Sequence, residues 1–565
     1  MLHKILAKEV LPLVSKPAQY VGNEWNSTHK SQSVALRVAL AYPDLYEVGM
    51  SHLGFSILYH LLNNLDGVAA ERVYAPEADM EKFLREKAIP LFSLESHLPL
   101  RKFDIIGFTL PYELVLTNIL NMIDLSRLPL LCREREGDIP LIIAGGIGTL
   151  NPEPMADFID VFIMGDGEET LPKLVRYYQK WKIEDKKSGK ECLLKGLAKN
   201  EGIYVPSLYK VNYSCNGTVD KITPADEGIP SRVKRQAVLD LDRAFFPTSL
   251  IVPYLDIVHE RVTLEIMRGC PRMCHFCQAR AFYQLCRRRD MDTLTEIAVA
   301  SIKNTGYDEI SLSSLSSGDY PYLEELVGNL RKRQELRNVS ISLSSLHVDS
   351  FSIRLIEELG KKKKTGITFA PETGSERLRR IINKKFAEED LFRAVRLLAE
   401  SGWRGLKLYF MIGLPTENDE DLKGIGALAR EVLRVSGGKM RLRISLSSFV
   451  PKAQTPFERK EMAGIDELRE KQRFLQGLLR NRRIKLNWHD TEAAFLEAVL
   501  ARGDRRTGKV ILEAWKKGCR FDGWSEHFKF HLWEEAFSGC GVDPSFYARR
   551  VRPQEETLPW NHLRS

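Results

Sequence analysis

Short apolar runs separated by longer amphipathic stretches organise the first third of the chain. The runs fall at 34–41, 72–74, 104–108, 141–144 and 161–164, and 51–65 and 77–87 have helical periodicity. Strands alternating with helices predict a parallel, doubly wound sheet. Ligands of such sheets bind beyond the carboxyl ends of the strands. Two glycine clusters stand there, Gly145-Gly146-Ile147-Gly148 and Gly165-Asp166-Gly167. Glycine lets backbone approach a bulky ligand closely. Residues 180–190 are densely charged and predict a solvated linker, while 202–206 and 209–213 predict a short hairpin pair. From 261 the alternation becomes regular. Six strand candidates lie at 261–267, 308–314, 338–345, 365–371, 405–412 and 440–448. Helix boundaries are legible between them. Thr293 and Glu296 predict a capping box with Gly306 as the stop, Asp349 a cap for a helix ending at Gly360, and Asn418 a cap for the next. Six strands with intervening helices predict an open, partial (β/α) barrel. Residues 461–565 read as mainly helical and rich in aromatics.

Composition narrows the class. A chain of 565 residues with 44% hydrophobic and 28% charged residues builds ordinary cores, in about three or four domains. The net charge of +8 suits a polyanionic partner without requiring one. Six of the nine cysteines stand isolated, which argues against a disulfide framework and for a reducing cytoplasm. The first residues lack a cleavage-site pattern, and no apolar run is long enough for a membrane span.

The remaining three cysteines carry the chemistry. Cys270, Cys274 and Cys277 sit at C-x3-C-x2-C spacing directly after the first barrel strand. Three thiolates on one loop suit three irons of a four-iron cluster and leave the fourth iron open to a small molecule. A zinc loop is the competing reading, but zinc normally takes four ligands in paired spacing, and only His275 is nearby. With Arg268-Gly269 before it and Phe276 before the last cysteine, the stretch resembles the signature of the radical S-adenosylmethionine (SAM) superfamily. The resemblance implies a [4Fe-4S] cluster that binds SAM and splits it into methionine and a 5'-deoxyadenosyl radical.

The second, fourth, fifth and sixth strands of the barrel end in polar or glycine-containing motifs, where barrel enzymes place their catalytic groups. The resemblance assigns these ends to SAM. Ser316, Ser317, Gly318 and Asp319 would meet the amino group, in place of the common Gly-Gly-Glu. Glu372 and Ser375 would meet the ribose and carboxylate, and Phe276, Gly413 and Val450 the adenine. The doubly wound region resembles the cobalamin-binding domain fused to many radical SAM enzymes. That places the cofactor near Thr109, Asn118, Gly145, Gly146 and Gly148. The D-x-H-x-x-G cobalt-ligand motif is absent, and His52 reads as a surface residue at a helix start.

The expected architecture is α/β. It comprises an extension (1–33), a doubly wound, Rossmann-type cobalamin-binding-like domain (34–180), a linker with a short β segment (181–255), a partial (β/α)6 radical SAM barrel (256–460) and a mainly helical C-terminal region (461–565). The expected activity is methyl or methylthio transfer using the cluster, SAM and cobalamin, with a reductant such as flavodoxin or ferredoxin. RNA, a ribosomal protein or another substrate is expected to receive the group. A cobalamin-independent rearrangement or sulfur insertion is the alternative enzyme, and a cluster-containing RNA-binding sensor the alternative of another class. The basic clusters at 287–289, 361–364, 379–380 and 384–385 read singly as solvated charge and jointly as a patch for RNA or a ribosome-bound protein. No catalytic side chain is legible.

Overall fold

In a computed structural model of the chain, residues 2–30, 34–345, 347–348 and 367–563 are described. They divide into two units. The first comprises Met1–Glu260, Gly503–Asp543 and Glu555–Ser565, and the second Arg261–Arg502 with Pro544–Gln554. The C-terminal stretch 461–565 is therefore shared between the units.

The first unit is built on a sheet of β1 (Leu36–Tyr42), β2 (Val68–Tyr74), β3 (Ile105–Thr109), β4 (Leu141–Gly145), β5 (Val161–Ile163) and β6 (Ile203–Tyr204). The spatial order is β2-β1-β3-β4-β5-β6, parallel except for β6. β1 is apolar on both faces, as an internal parallel strand covered by helices must be. Strand order reverses between β1 and β3, so their carboxyl ends form the crevice where such sheets take ligands. β6 joins this sheet, and the expected hairpin forms instead between β7 (Tyr209–Tyr213) and β8 (Val219–Pro224). The charged 180–190 stretch is helical, running from the Gly167–Lys180 helix through a π-helical turn, Trp181–Asp185. Ion pairs such as Lys182 to Asp104 and Lys190 to Asp160 hold it against the sheet.

Residues 503–543 belong to this unit for a clear physical reason. The Arg505 guanidinium donates to Glu153 (2.7 Å), to the Tyr204 hydroxyl (3.0 Å) and to the Tyr209 carbonyl (2.9 Å). A cation this deeply placed holds its segment in one position, because withdrawing it strands the buried Glu153 carboxylate.

His562 lies against the same carboxylate, 3.6 Å away, and burial pushes its pKa down to about 4. His60 is pushed down to about 4 by the same cause. In the unfolded chain both imidazoles titrate near 6.5. The unfolded state thus binds more protons between those values, and stability is lost as pH falls through that window. Urea unfolding at about pH 5 is expected to show roughly 2–4 kcal/mol less stability than at about pH 7.5. His562→Gln should remove part of the difference, and equal midpoints at the two pH values would refute this.

The second unit contains all six expected barrel strands. They are β9 (Val262–Glu265), β12 (Glu309–Ser313), β13 (Ser340–Leu343), β14 (Ile367–Glu372), β15 (Gly405–Ile412) and β16 (Arg441–Ser448); β10 (Met267–Arg268) and β11 (Arg287–Arg288) form a small antiparallel ladder. β13-β12-β9 is one parallel sheet and β14-β15-β16-β17 another, where β17 (Ile484–Trp488) is a strand within the stretch read as helical. Asn418 and Asp421 form the expected capping role as a reciprocal pair. The Met291–Thr305 helix is capped by Asp290 rather than Thr293, and Gly306 ends it in the left-handed conformation. The helix expected after Asp349 and the lysines 361–364 lie outside the described residues.

Candidate functional site

The cysteine loop leaves β9 and is closed at its base by the β10–β11 ladder. Gly269 makes the turn possible. Its φ is +87°, and a Cβ there would lie 2.1 Å from the Leu285 carbonyl oxygen. The loop is then pinned to the end of the Glu376–Ile381 helix. His275 N–H donates to the Ile382 carbonyl (3.0 Å), its Nδ1 lies 2.9 Å from the Ile381 carbonyl, and Asn383 donates to the Met273 carbonyl (2.8 Å). His275 also sets its ring edge-on to Phe457, so it serves as a structural anchor of the loop. Phe276 packs against the core formed by Leu378, Met411, Leu414, Phe449 and Phe457.

Cys274 is buried, and Cys270 and Cys277 are half-buried. Burial pushes the Cys274 thiol up to about 11 and raises Cys270 as well. Iron binding must therefore displace protons here, which couples cluster assembly to pH. Among the described residues no three His, Cys, Asp or Glu side chains converge as a single-ion site requires. A four-iron cluster instead takes each thiolate on its own iron.

β14 bulges between Phe369 and Glu372, and Glu372 adopts a φ of +68°. A bulge re-aims the side chain at a strand end, and a left-handed non-glycine residue marks strain held by its surroundings. Burial raises the Glu372 carboxyl, opposed by Lys384, whose Nζ stands 3.4 Å away. Both groups lie in the electrostatic surroundings of Cys274. Lys384 reaches this place because residues 381–383 are tied to residues 273–275.

The remaining expected SAM contacts have varied placements. Asp319 is gripped by Arg272 of the cysteine loop through two bonds (2.8 and 2.6 Å) and receives a third from Ser316 (2.7 Å). Burial alone would raise its carboxyl, but these bonds hold it low. Ser317 is buried and bonded to Ser314, with Gly318 beside it in one turn of 3-10 helix. Ser375 caps the helix that follows, accepting from Leu378 N–H and donating to Asp421. Gly413 and Val450 follow the ends of neighbouring β15 and β16, where Gly413 N–H donates to Glu417 (2.9 Å).

In the first unit, Thr109 and Gly145 are paired in register at the ends of β3 and β4. With Gly146 and Gly148 they form a half-buried, backbone-lined surface. Asn118 is fully committed elsewhere. It donates to the Pro43 carbonyl (2.9 Å) and accepts from Phe521 N–H (2.8 Å). The same C-terminal turn places Trp524 on Asp44 (2.9 Å), and Asp522 between Thr117 (2.7 Å) and Trp533 (2.9 Å). His52 does begin a helix, its Nδ1 accepting from Phe55 N–H, but it is half-buried rather than on the surface.

Sequence reasoning missed Arg272 and Lys384. The matched acid Asp319 was a signal for the first; nothing in the Lys384-Lys385 pair marks which lysine turns inward. The basic clusters divide likewise. Arg287, Arg289 and Arg379 are buried while Arg288 and Arg380 are exposed, which corrects the reading of these runs as solvated charge. Alternation along β11 accounts for the first run.

The sequence pattern described as "Radical SAM superfamily" matches residues 264–429, and that of "Radical SAM proteins, N-terminal" matches residues 54–206. Uncharacterized protein MJ0966 of Methanocaldococcus jannaschii is 30% identical over 478 residues, which cover 84% of this chain and 90% of that protein. The chain belongs to the radical SAM superfamily. A provisionally named methylthiotransferase of the same archaeon, MJ0865, is 23% identical over 68% of this chain and 72% of its own length. Among solved structures, the radical SAM methyltransferase TsrM from Kitasatospora setae shares the fold with a TM-score of 0.51. Its identity to this chain is 14%, over 73% of this chain and 74% of that one. That structure holds cobalamin and a [4Fe-4S] cluster. The cysteine loop of this radical SAM protein offers three thiols at the end of the first barrel strand. Among the described residues no helix is long and apolar enough to cross a membrane.

Proposed function

We propose that this radical SAM protein transfers a methyl or methylthio group to an unactivated carbon, with cobalamin held by the first unit. The cysteine loop at the end of β9 carries this reading, because it is locked beside the half-buried Glu372–Lys384 pair. Cys270, Cys274 and Cys277 would hold the cluster. Held there and given one electron by a reductant such as flavodoxin or ferredoxin, the cluster would supply reductive cleavage of bound SAM. Around it, the chain's own residues orient and exclude. Arg272 and Asp319 fix the loop against the end of β12, Phe276 seals one side with apolar surface, and Glu372 presents a carboxylate for the ribose hydroxyls. The fit to cobalamin is with backbone. Thr109, Gly145, Gly146 and Gly148 line the ends of β3 and β4, where a bulky planar group can approach closely. Asn118 belongs to the interior and not to that surface. Cobalamin there supplies a methyl carrier. The similarity to MJ0865 supports methylthio transfer as a second reading, which would need a sulfur donor besides SAM and cobalamin.

The test is anaerobic reconstitution with iron and sulfide, followed by reduction in the presence of SAM. We expect about four irons per chain and 5'-deoxyadenosine as product. Cobalamin uptake, read by its visible spectrum, is expected to survive His52→Ala. Reconstituted protein that forms no 5'-deoxyadenosine would sink the reading, and failure to take up cobalamin would remove its methyl-transfer part.

A further inference from the structure

The inner face of the barrel carries charge. A closed (β/α)8 barrel fills its interior with branched apolar side chains, whereas these strands form two open sheets. Here the residues at 406, 408 and 410 of β15 and at 442, 444 and 446 of β16 are buried apolar groups, so the alternate residues take the opposite face. Helices of parallel strand–helix units cover the outer face, which leaves that opposite face to the lumen.

Register then places Lys407 of β15, Arg443 of β16 and Lys485 of β17 side by side in one row. Arg443 and Lys485 are exposed and Lys407 is half-buried. Lys407 donates to the Tyr409 hydroxyl and lies 4.3 Å over its ring; no carboxylate forms an ion pair with any of the three among the described residues. Across the lumen, Glu265 and Glu309 are already paired with Arg268 and Arg261. Like charges directly opposite one another on adjacent strands destabilise a sheet. A row of three cations that costs stability and gains no carboxylate partner among the described residues points to function.

The next row upward, Tyr409, Ser445 and Asn487, is polar, and the row after it reaches Met411 and Ser447 beneath the motif loops. We infer that the Lys407–Arg443–Lys485 row binds a multivalent phosphate group on an elongated substrate whose other end lies at the strand ends. Three cations on strands about 4.8 Å apart match two or more anionic charges better than one carboxylate. Lys407 lies five residues below the end of β15, so the phosphate sits about 17 Å from the strand ends. Identifying the ligand as substrate rests on the function proposed above; the phosphate site stands without it.

Titration of the full chain with inorganic pyrophosphate tests the inference, and uridine diphosphate against a single-stranded hexaribonucleotide distinguishes a nucleotide from a nucleic acid as its bearer. Binding is expected to weaken as salt rises. Lys407→Gln, Arg443→Gln and Lys485→Gln should each weaken it about tenfold and the triple variant abolish it. Arg480→Gln and Arg482→Gln, exposed cations off this face, should leave it unchanged. Circular dichroism and the thermal midpoint establish that each variant is folded. Wild-type protein that ignores pyrophosphate, binding that survives the folded triple variant, or equal losses from Arg480→Gln would overturn the inference. A wild type that binds pyrophosphate but forms no 5'-deoxyadenosine would instead sink only the proposed reaction.

Discussion

Alanine in place of Cys274 is expected to abolish SAM cleavage, by at least about a thousandfold, and to lower reconstituted iron well below four per chain. Cys274 is the buried member of the triplet and feels the charges of Glu372 and Lys384. Its removal takes away one iron's protein ligand, and no other cysteine stands on this loop before Cys286. The loop itself should survive, because its position depends on Gly269, on the β10–β11 ladder and on the His275 and Asn383 bonds. Fold and chemistry are thus separable in this variant. Circular dichroism should match wild type while the charge-transfer absorbance of the cluster is lost. Cys270→Ala and Cys277→Ala should behave alike. Cys286→Ala, exposed and outside the motif spacing, should keep the cluster. Full iron retention by any variant of the triplet would refute the ligand assignment.

Asn118→Ala is expected to destabilise the first unit by about 2–4 kcal/mol, because it leaves the Phe521 N–H and the Pro43 carbonyl without their partner. Asp522→Ala should cost a similar amount, stranding the Thr117 hydroxyl and the Trp533 indole. Burial raises the Asp522 carboxyl, so part of that cost is relieved by removing a group that resists ionisation. These residues make the 521–533 turn an interior element of the first unit. Truncation at about residue 464 therefore strikes both units. It removes β17 from the edge of the barrel sheet and Arg505, Asp522 and Trp524 from the first unit. The truncated chain is expected to lose cooperative unfolding and to aggregate. A soluble truncation that unfolds with the wild-type midpoint would show that the C-terminal stretch is dispensable to both units.

The sequence by itself determined the alternation of strand and helix, the six barrel strands and the C-x3-C-x2-C loop. Those features are local: apolar run length, capping residues and ligand spacing are set within a few residues of one another. Asn418 is a clear case, because its cap needs only Asp421 three positions on. Tertiary structure decided what depends on residues distant in sequence. Lys384 and Lys385 are equivalent as sequence, and only the bonds between residues 381–383 and 273–275 turn the first inward to Glu372. The resemblance placed Asn118 beside a cofactor, but a segment about four hundred residues later fills its hydrogen bonds. β17 is short, charged and followed by helices, so its strand conformation comes from pairing with β16 and not from its own pattern. The cation row exists only in register. Lys407, Arg443 and Lys485 are unremarkable surface residues along the chain, and parallel pairing alone sets them side by side.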